Sequence, residues 1–258
     1  YTSPARGHLF PALGVALELR DRGHEIHIRT LSDEVARVRA LGLDAAPIDP
    51  AVEARELDDY RAGNPIKALE LAMKTFGDRA AGEVDDVRTA IAQSGADALL
   101  VDTNSWGAQA VAEASGMPWA TFQPYFTALP GRGIPPFGPG FRPATGPIGR
   151  LRDAVVGRLI GGKTASLALP GINAARTGVG LAPIGSMEEF LLRPPRVVYF
   201  TTRALEYPRE RWPENYRFVG PAAWGPEAAE PEWLADVDRP IVLVTCSTEK
   251  QEDRAIVE

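Results

Sequence analysis

The chain has 258 residues, 45 % of them apolar and 24 % charged, the balance of a globular protein with room for one large domain or one and a fraction. A formal charge of −6 argues against nucleic acid or anionic membrane as a partner. The single Cys246 cannot close an internal disulfide, so a reducing cytoplasm is the expected setting, and no run nears the roughly 18–20 apolar residues that span a bilayer.

Tyr1-Thr2-Ser3 reads as the tail of a strand, which implies that residue 1 is not the natural start. From Pro11, the apolar residues Leu13, Ala16 and Leu17 recur at helical spacing, with Pro11 in the first turn and Gly23 as the stop. Residues 25–30 alternate as a strand, Ser32 can cap a helix through Arg39, and 43–48 form a short strand. Pro65 to about Gln93 reads as one long helix with Leu69, Met73, Phe76, Val84, Val87 and Ile91 inward. A strand at 98–101, a helix from Ser105 to Ser115, a stop at Gly116 and a strand from Trp119 follow in close order. Strands separated by helices imply right-handed crossovers, so the fold expected is an α/β, Rossmann-like, doubly wound parallel sheet.

Residues 130–147 hold six prolines and five glycines in eighteen positions, which denies both helix and sheet and predicts a surface loop. Helical spacing resumes at Ile148, Leu151, Val155 and Leu159, and residues 196–200 and 216–219 are strand-like. The domain boundaries expected are a first domain over 1–221, a Pro- and Glu-rich linker over 222–239, and the start of a second domain over 240–258, opened by the apolar strand Ile241–Val244.

Several motifs compete for the chemistry. Residues 157–164, GRLIGGKT, match the phosphate-loop pattern letter for letter, but the preceding residues have helical spacing and include Arg150, Arg152 and Asp153 instead of a buried strand. A helix end with a glycine stop is the better reading there. Gly178-Val-Gly180 is only a fragment of a dinucleotide fingerprint, and no such fingerprint follows the first strand, which disfavours a nucleotide-dependent oxidoreductase. His24 and His27 have no Cys or Glu cluster near them, so no metal site is expected.

His8 differs in placement. Ligands of a doubly wound sheet bind beyond the carboxyl ends of its strands. His8 follows the first strand and Asp102 directly follows residues 98–101, so both face one edge across 94 residues of chain. A carboxylate that orients an imidazole makes a general base suited to a hydroxyl. On spacing alone the local reading stands ahead, with His8 bonded at a helix start and Asp102 capping the next helix.

The stretch GHLFPALGVALELRDRGHEI closely resembles the N-terminal GH-x-x-P…GH-x-V region of GT-B glycosyltransferases, in the inverting family that includes plant and bacterial UDP-glycosyltransferases. ADALLVDTNSWGAQAVAEASGMPW, PYFTALPGRGIPPFGPGFRP and YPRERWPENYRFVGPAAW resemble bacterial members acting on macrolides, aromatic polyketides and enediynes. The resemblance spans nearly the whole chain and implies the N-terminal, acceptor-binding half of a two-domain GT-B enzyme. It implies His8 as the base on the acceptor hydroxyl, Asp102 as its support, and a dTDP- or UDP-linked sugar as co-substrate with no metal or other cofactor. Phe10, Phe76, Trp106, Tyr125 and Phe126 are the candidate walls of an apolar acceptor pocket, Trp106 and Phe126 foremost, and the 130–147 loop a candidate cover. The family's donor motif, H-x-G-x-x-[ST], does not occur; only Ser247 and Thr248, in TCSTEKQ, resemble a donor-side loop. The partners implied are a small-molecule aglycone and a nucleotide sugar, and a homodimer is allowed. The rival is a non-catalytic binder of hydrophobic ligands, of the self-resistance type, on the same fold.

Overall fold

The computed structural model of the chain describes residues 1–221 and 224–245. Helix α1 (Arg6–Asp21) leads to strand β1 (His27–Thr30), a short helix α2 (Val35–Ala40) and strand β2 (Asp44–Pro47). A one-turn helix α3 (Pro50–Glu53) is capped by the Asp49 carboxylate, which accepts from the Ala51 N–H. The 30-residue helix α4 (Pro65–Ser94) starts on the Asn64 cap with Pro65 in its first turn and stops at Gly95, where φ is +66°. Strand β3 (Leu99–Asp102), helix α5 (Trp106–Ala114) and strand β4 (Trp119–Gln123) form the compact unit that the sequence pattern predicts. No helix or strand occurs from 124 to 146. Helix α6 (Pro147–Gly178), helix α7 (Met187–Leu192), strand β5 (Val197–Tyr199) and strand β6 (Tyr216–Phe218) complete the order.

Every pairing is parallel. β1 pairs with β2, and β3-β4-β5-β6 lie side by side in that order. Residues 1–3 splice the two ladders together. The Thr2 N–H donates to the Arg29 carbonyl at 3.0 Å, the Tyr1 backbone nitrogen donates to the Leu100 carbonyl at 2.9 Å, and the Asp102 N–H donates to the Tyr1 carbonyl at 3.0 Å. Bonds from one residue to positions two apart on its neighbour are the parallel pattern. The expected doubly wound sheet is present, and Ser3, Thr30, Asp102, Gln123 and Tyr199 end at one edge.

Two cores serve it. Leu9, Leu13 and Ala16 of α1 pack with Val35, Val38, Leu43 and Ala45. Ala80, Val84 and Val87 of α4 pack with Val101, Val111 and, from α6, Ala168 and Ile172. α5 lies unusually close to α4. A Cβ placed on Gly107 would sit 2.0 Å from the Ala80 carbonyl oxygen, so glycine is required there.

The structure differs from the sequence expectations at four places. α1 starts at Arg6, five residues before Pro11, because the Ala5 carbonyl accepts from both the His8 and Leu9 N–H groups and closes the first turn early. Pro11 then forfeits only the ladder bond to the Gly7 carbonyl. Ser32 opens a short 3-10 turn (Ser32–Glu34) rather than capping α2, and its hydroxyl donates to Glu53 at 2.9 Å. Residues 157–164 are neither a phosphate loop nor a helix end but the interior of α6, which runs unbroken through Gly161 and Gly162. Ile241–Val244 are exposed and joined to no strand among the described residues, so the strand expected there is not formed. Among the described residues, no helix is long and apolar enough to cross a membrane.

Candidate active site

His8 stands in the first turn of α1, not in the loop before it, and its Nδ1 lies 2.8 Å from Asp102 Oδ2. The two residues come together as the sheet-edge argument expects. Asp102, the last residue of β3, is fully buried. Its Oδ2 also accepts from the Ser3 N–H at 3.0 Å and the Ser3 hydroxyl at 2.7 Å, and its Oδ1 accepts from the Asn104 N–H at 2.8 Å. Burial alone would push this carboxyl up. The facing His8 charge and the bonds from His8, Asn104 and Ser3 outweigh burial and hold it below its ordinary 3.8.

An ionised carboxylate can only accept, so Nδ1 carries the ring proton and Nε2 is the basic nitrogen. The His8 side chain is 15 % exposed, against none for Asp102. This arrangement can take a proton from a weakly acidic hydroxyl and hold the resulting cation against a fixed anion. Ser3 and Asn104 are polar partners that the sequence reading missed. Asn104 had a local signal, since an aspartate that bonds the amide two residues on is a familiar turn. Ser3 had none, because it reaches Asp102 across 99 residues.

The five aromatic candidates part company. The Tyr125 ring centroid lies 5.7 Å from that of His8, and its hydroxyl donates to Asn104 Oδ1 at 2.6 Å, so the ring stands beside the imidazole. Phe126 is exposed in the segment after β4, and Phe10 packs edge-on to Trp224 at 5.2 Å. Trp106 is a correction, and Phe76 is half-buried against it. Trp106 is 4 % exposed and meets Phe76 edge-to-face at 5.7 Å and Phe190 at 6.3 Å, inside the core shared by α4, α5 and α6. Position 106 opens a helix, and the first inward side chain of a helix beneath a sheet turns to the core, not to the edge. Trp106→Ala is therefore expected to cost about 3–5 kcal/mol of folding stability, read as a lowered denaturant midpoint. A stable variant with weakened ligand binding would return Trp106 to the pocket wall.

The loop after β4 is tied down at its root. The Thr127 N–H donates to the Tyr199 hydroxyl at 2.7 Å, and the Arg209 guanidinium donates to the Leu129 and Pro130 carbonyls while lying over the Trp212 ring. Ser247 and Thr248 lie outside the described residues. Among the described residues, no group of three or more His, Cys, Asp or Glu side chains is placed to hold a metal ion.

No protein-family model matches the chain. Among curated proteins, it is 29 % identical over 260 residues to 4'-demethylrebeccamycin synthase of Lentzea aerocolonigenes, a match over 96 % of this chain and 62 % of that protein. It is 26 % identical over 258 residues to demethyllactenocin mycarosyltransferase of Streptomyces fradiae, over 95 % of this chain and 51 % of the relative. Among solved structures, the glycotransferase of kitacinnamycin superposes with a TM-score of 0.61 at 21 % identity, over 93 % of this chain and 53 % of that one. The chain thus has the Rossmann-like half-domain fold of GT-B glycosyltransferases and resembles those that act on natural products. It spans roughly half to three-fifths of the length of these relatives.

Proposed function

We propose that the chain forms the acceptor-binding half of an inverting glycosyltransferase that moves a sugar from a dTDP- or UDP-linked donor to a hydroxyl of an apolar secondary-metabolite aglycone. The observation that carries this reading is the His8–Asp102 contact at the carboxyl edge of the sheet, with Tyr125 beside it. His8 Nε2 takes the acceptor proton as the acceptor oxygen bonds to the anomeric carbon. The bond from that carbon to the diphosphate oxygen breaks, the nucleoside diphosphate leaves, and configuration inverts. Asp102 keeps the ring in the productive tautomer and stabilises the imidazolium.

In this reading residues 1–221 are the acceptor domain, 222–239 the linker and 240–258 the beginning of the donor domain. Tyr125 and Phe126 line the acceptor side and the 130–147 segment covers it. The nucleotide contacts come mainly from the second half of the complete enzyme, with Ser247 and Thr248 on the near side. The test is an assay of the complete enzyme with a panel of dTDP and UDP sugars against macrolide, aromatic polyketide and enediyne aglycones. Transfer with inverted anomeric configuration supports the proposal. Aglycone binding without transfer from any donor identifies a non-catalytic binder instead.

A further inference from the structure

Beneath the Asp102 turn lies a second carboxyl that the mechanism above does not use. Glu83, on α4, is fully buried. Its Oε2 accepts from the Gly107 N–H at 2.8 Å, while its Oε1 has no hydrogen-bond partner. An ionised carboxylate offers about four acceptor sites and is costly to bury with most of them empty, whereas a neutral acid costs far less. The surroundings are rigid. The Ala80 carbonyl and the Glu83 Cβ, 2.9 Å from a notional Cβ, leave Gly107 no room for a side chain, so the first turn of α5 rides directly on the α4 turn that carries Glu83. That α5 turn continues the Asp102 loop, whose Ser105 N–H donates to the Asp102 carbonyl at 3.1 Å.

We propose that Glu83 is a positioning residue for the His8–Asp102 pair: held as a neutral carboxylic acid, it fastens the start of α5 to α4 and leaves Asp102 to carry the negative charge behind the imidazole. The proposal rests on the reading of His8 as the base. The charged and titratable groups that face Glu83 are Arg79 on its own helix, Asp102 at the end of β3 and the phenol of Tyr1 in the spliced segment. Burial, reinforced by Asp102 and opposed by the Gly107 N–H, Arg79 and the Ala108 N–H, leaves the Glu83 carboxyl pushed up to about 8. Glu83 therefore ionises in mild alkali, and a second buried anion then opposes Asp102 and loosens the α5 turn.

The experiment follows turnover of the complete enzyme against pH, for wild type and Glu83→Gln, together with the His8 ring resonances by NMR over the same range. Wild type is expected to lose turnover near pH 8. The His8 resonances should show a secondary inflection there. In Glu83→Gln, whose amide accepts from Gly107 but cannot ionise, both the loss and the inflection should vanish. An alkaline loss that survives in Glu83→Gln, or wild-type His8 resonances without an inflection near pH 8, overturns the inference. Absence of sugar transfer by wild type at every pH would overturn the glycosyltransferase reading alone, because the NMR titration still reports whether Glu83 governs the pair.

Discussion

His8→Ala in the complete enzyme should lower turnover by about 10²–10⁴-fold, the usual weight of a positioned general base. The KM for the acceptor should move little. Alanine leaves the Tyr125 ring and its tether to Asn104 in place, so the wall beside the reacting hydroxyl survives. What is lost is the nitrogen that receives the proton, and bulk water replaces it poorly at neutral pH. Turnover within a few-fold of wild type would remove His8 from the mechanism.

Asp102→Asn should keep the fold near neutrality and lose turnover by about 10²-fold or more, because an amide cannot stabilise the imidazolium and can present an N–H to Nδ1, favouring the wrong tautomer. The pH dependence of stability gives a second readout. The folded-state value of Asp102 lies below its ordinary 3.8. Its contribution is therefore fully present above that value and is lost as pH falls through the folded value. Urea midpoints of wild type should drop between about pH 4 and lower pH, and Asp102→Asn should flatten that drop. A collapse of stability at pH 7 would instead make Asp102 a structural cap of the chain turn before α5.

How much of this was legible depended on whether the signal was local. The long helix α4 announced itself through the period of its apolar residues from Pro65 onward, and each boundary fell within a residue or two of expectation. The β3-α5-β4 unit did the same. The pairing of His8 with Asp102 followed from topology: parallel strands must end at one edge, whatever separates them in sequence. The start of α1 was not legible, because Pro11 imitates a first-turn proline while the turn is really closed by the Ala5 carbonyl. The phosphate-loop letters at 157–164 were rightly set aside for want of a strand before them, but the glycine stop read there instead does not exist, because packing carries α6 straight through Gly161 and Gly162. Trp106 showed the limit of an aromatic near a strand end. Which way it points is decided by α4 and α6, far away in sequence. The six residues of α7 and the four of α3 are too short for periodicity to separate from loop.

The hydrogen bonds that tie residues 1–3 into both ladders have a consequence for the order in which the molecule is assembled. The strands on the two sides begin at residue 27 and residue 99, so the imidazole and its carboxylate belong to segments made at very different times. A nascent chain synthesised as far as residue 80 already carries His8, yet has neither Asp102 nor the Leu100 carbonyl that receives the Tyr1 N–H. The pair can form only after a closure spanning nearly a hundred residues, an entropic cost met once the α4 and α5 cores have condensed. Completion of the base is thus among the later acts of folding. The Ser3 amide proton, bonded to Asp102, should accordingly exchange with solvent only when that whole closure is undone.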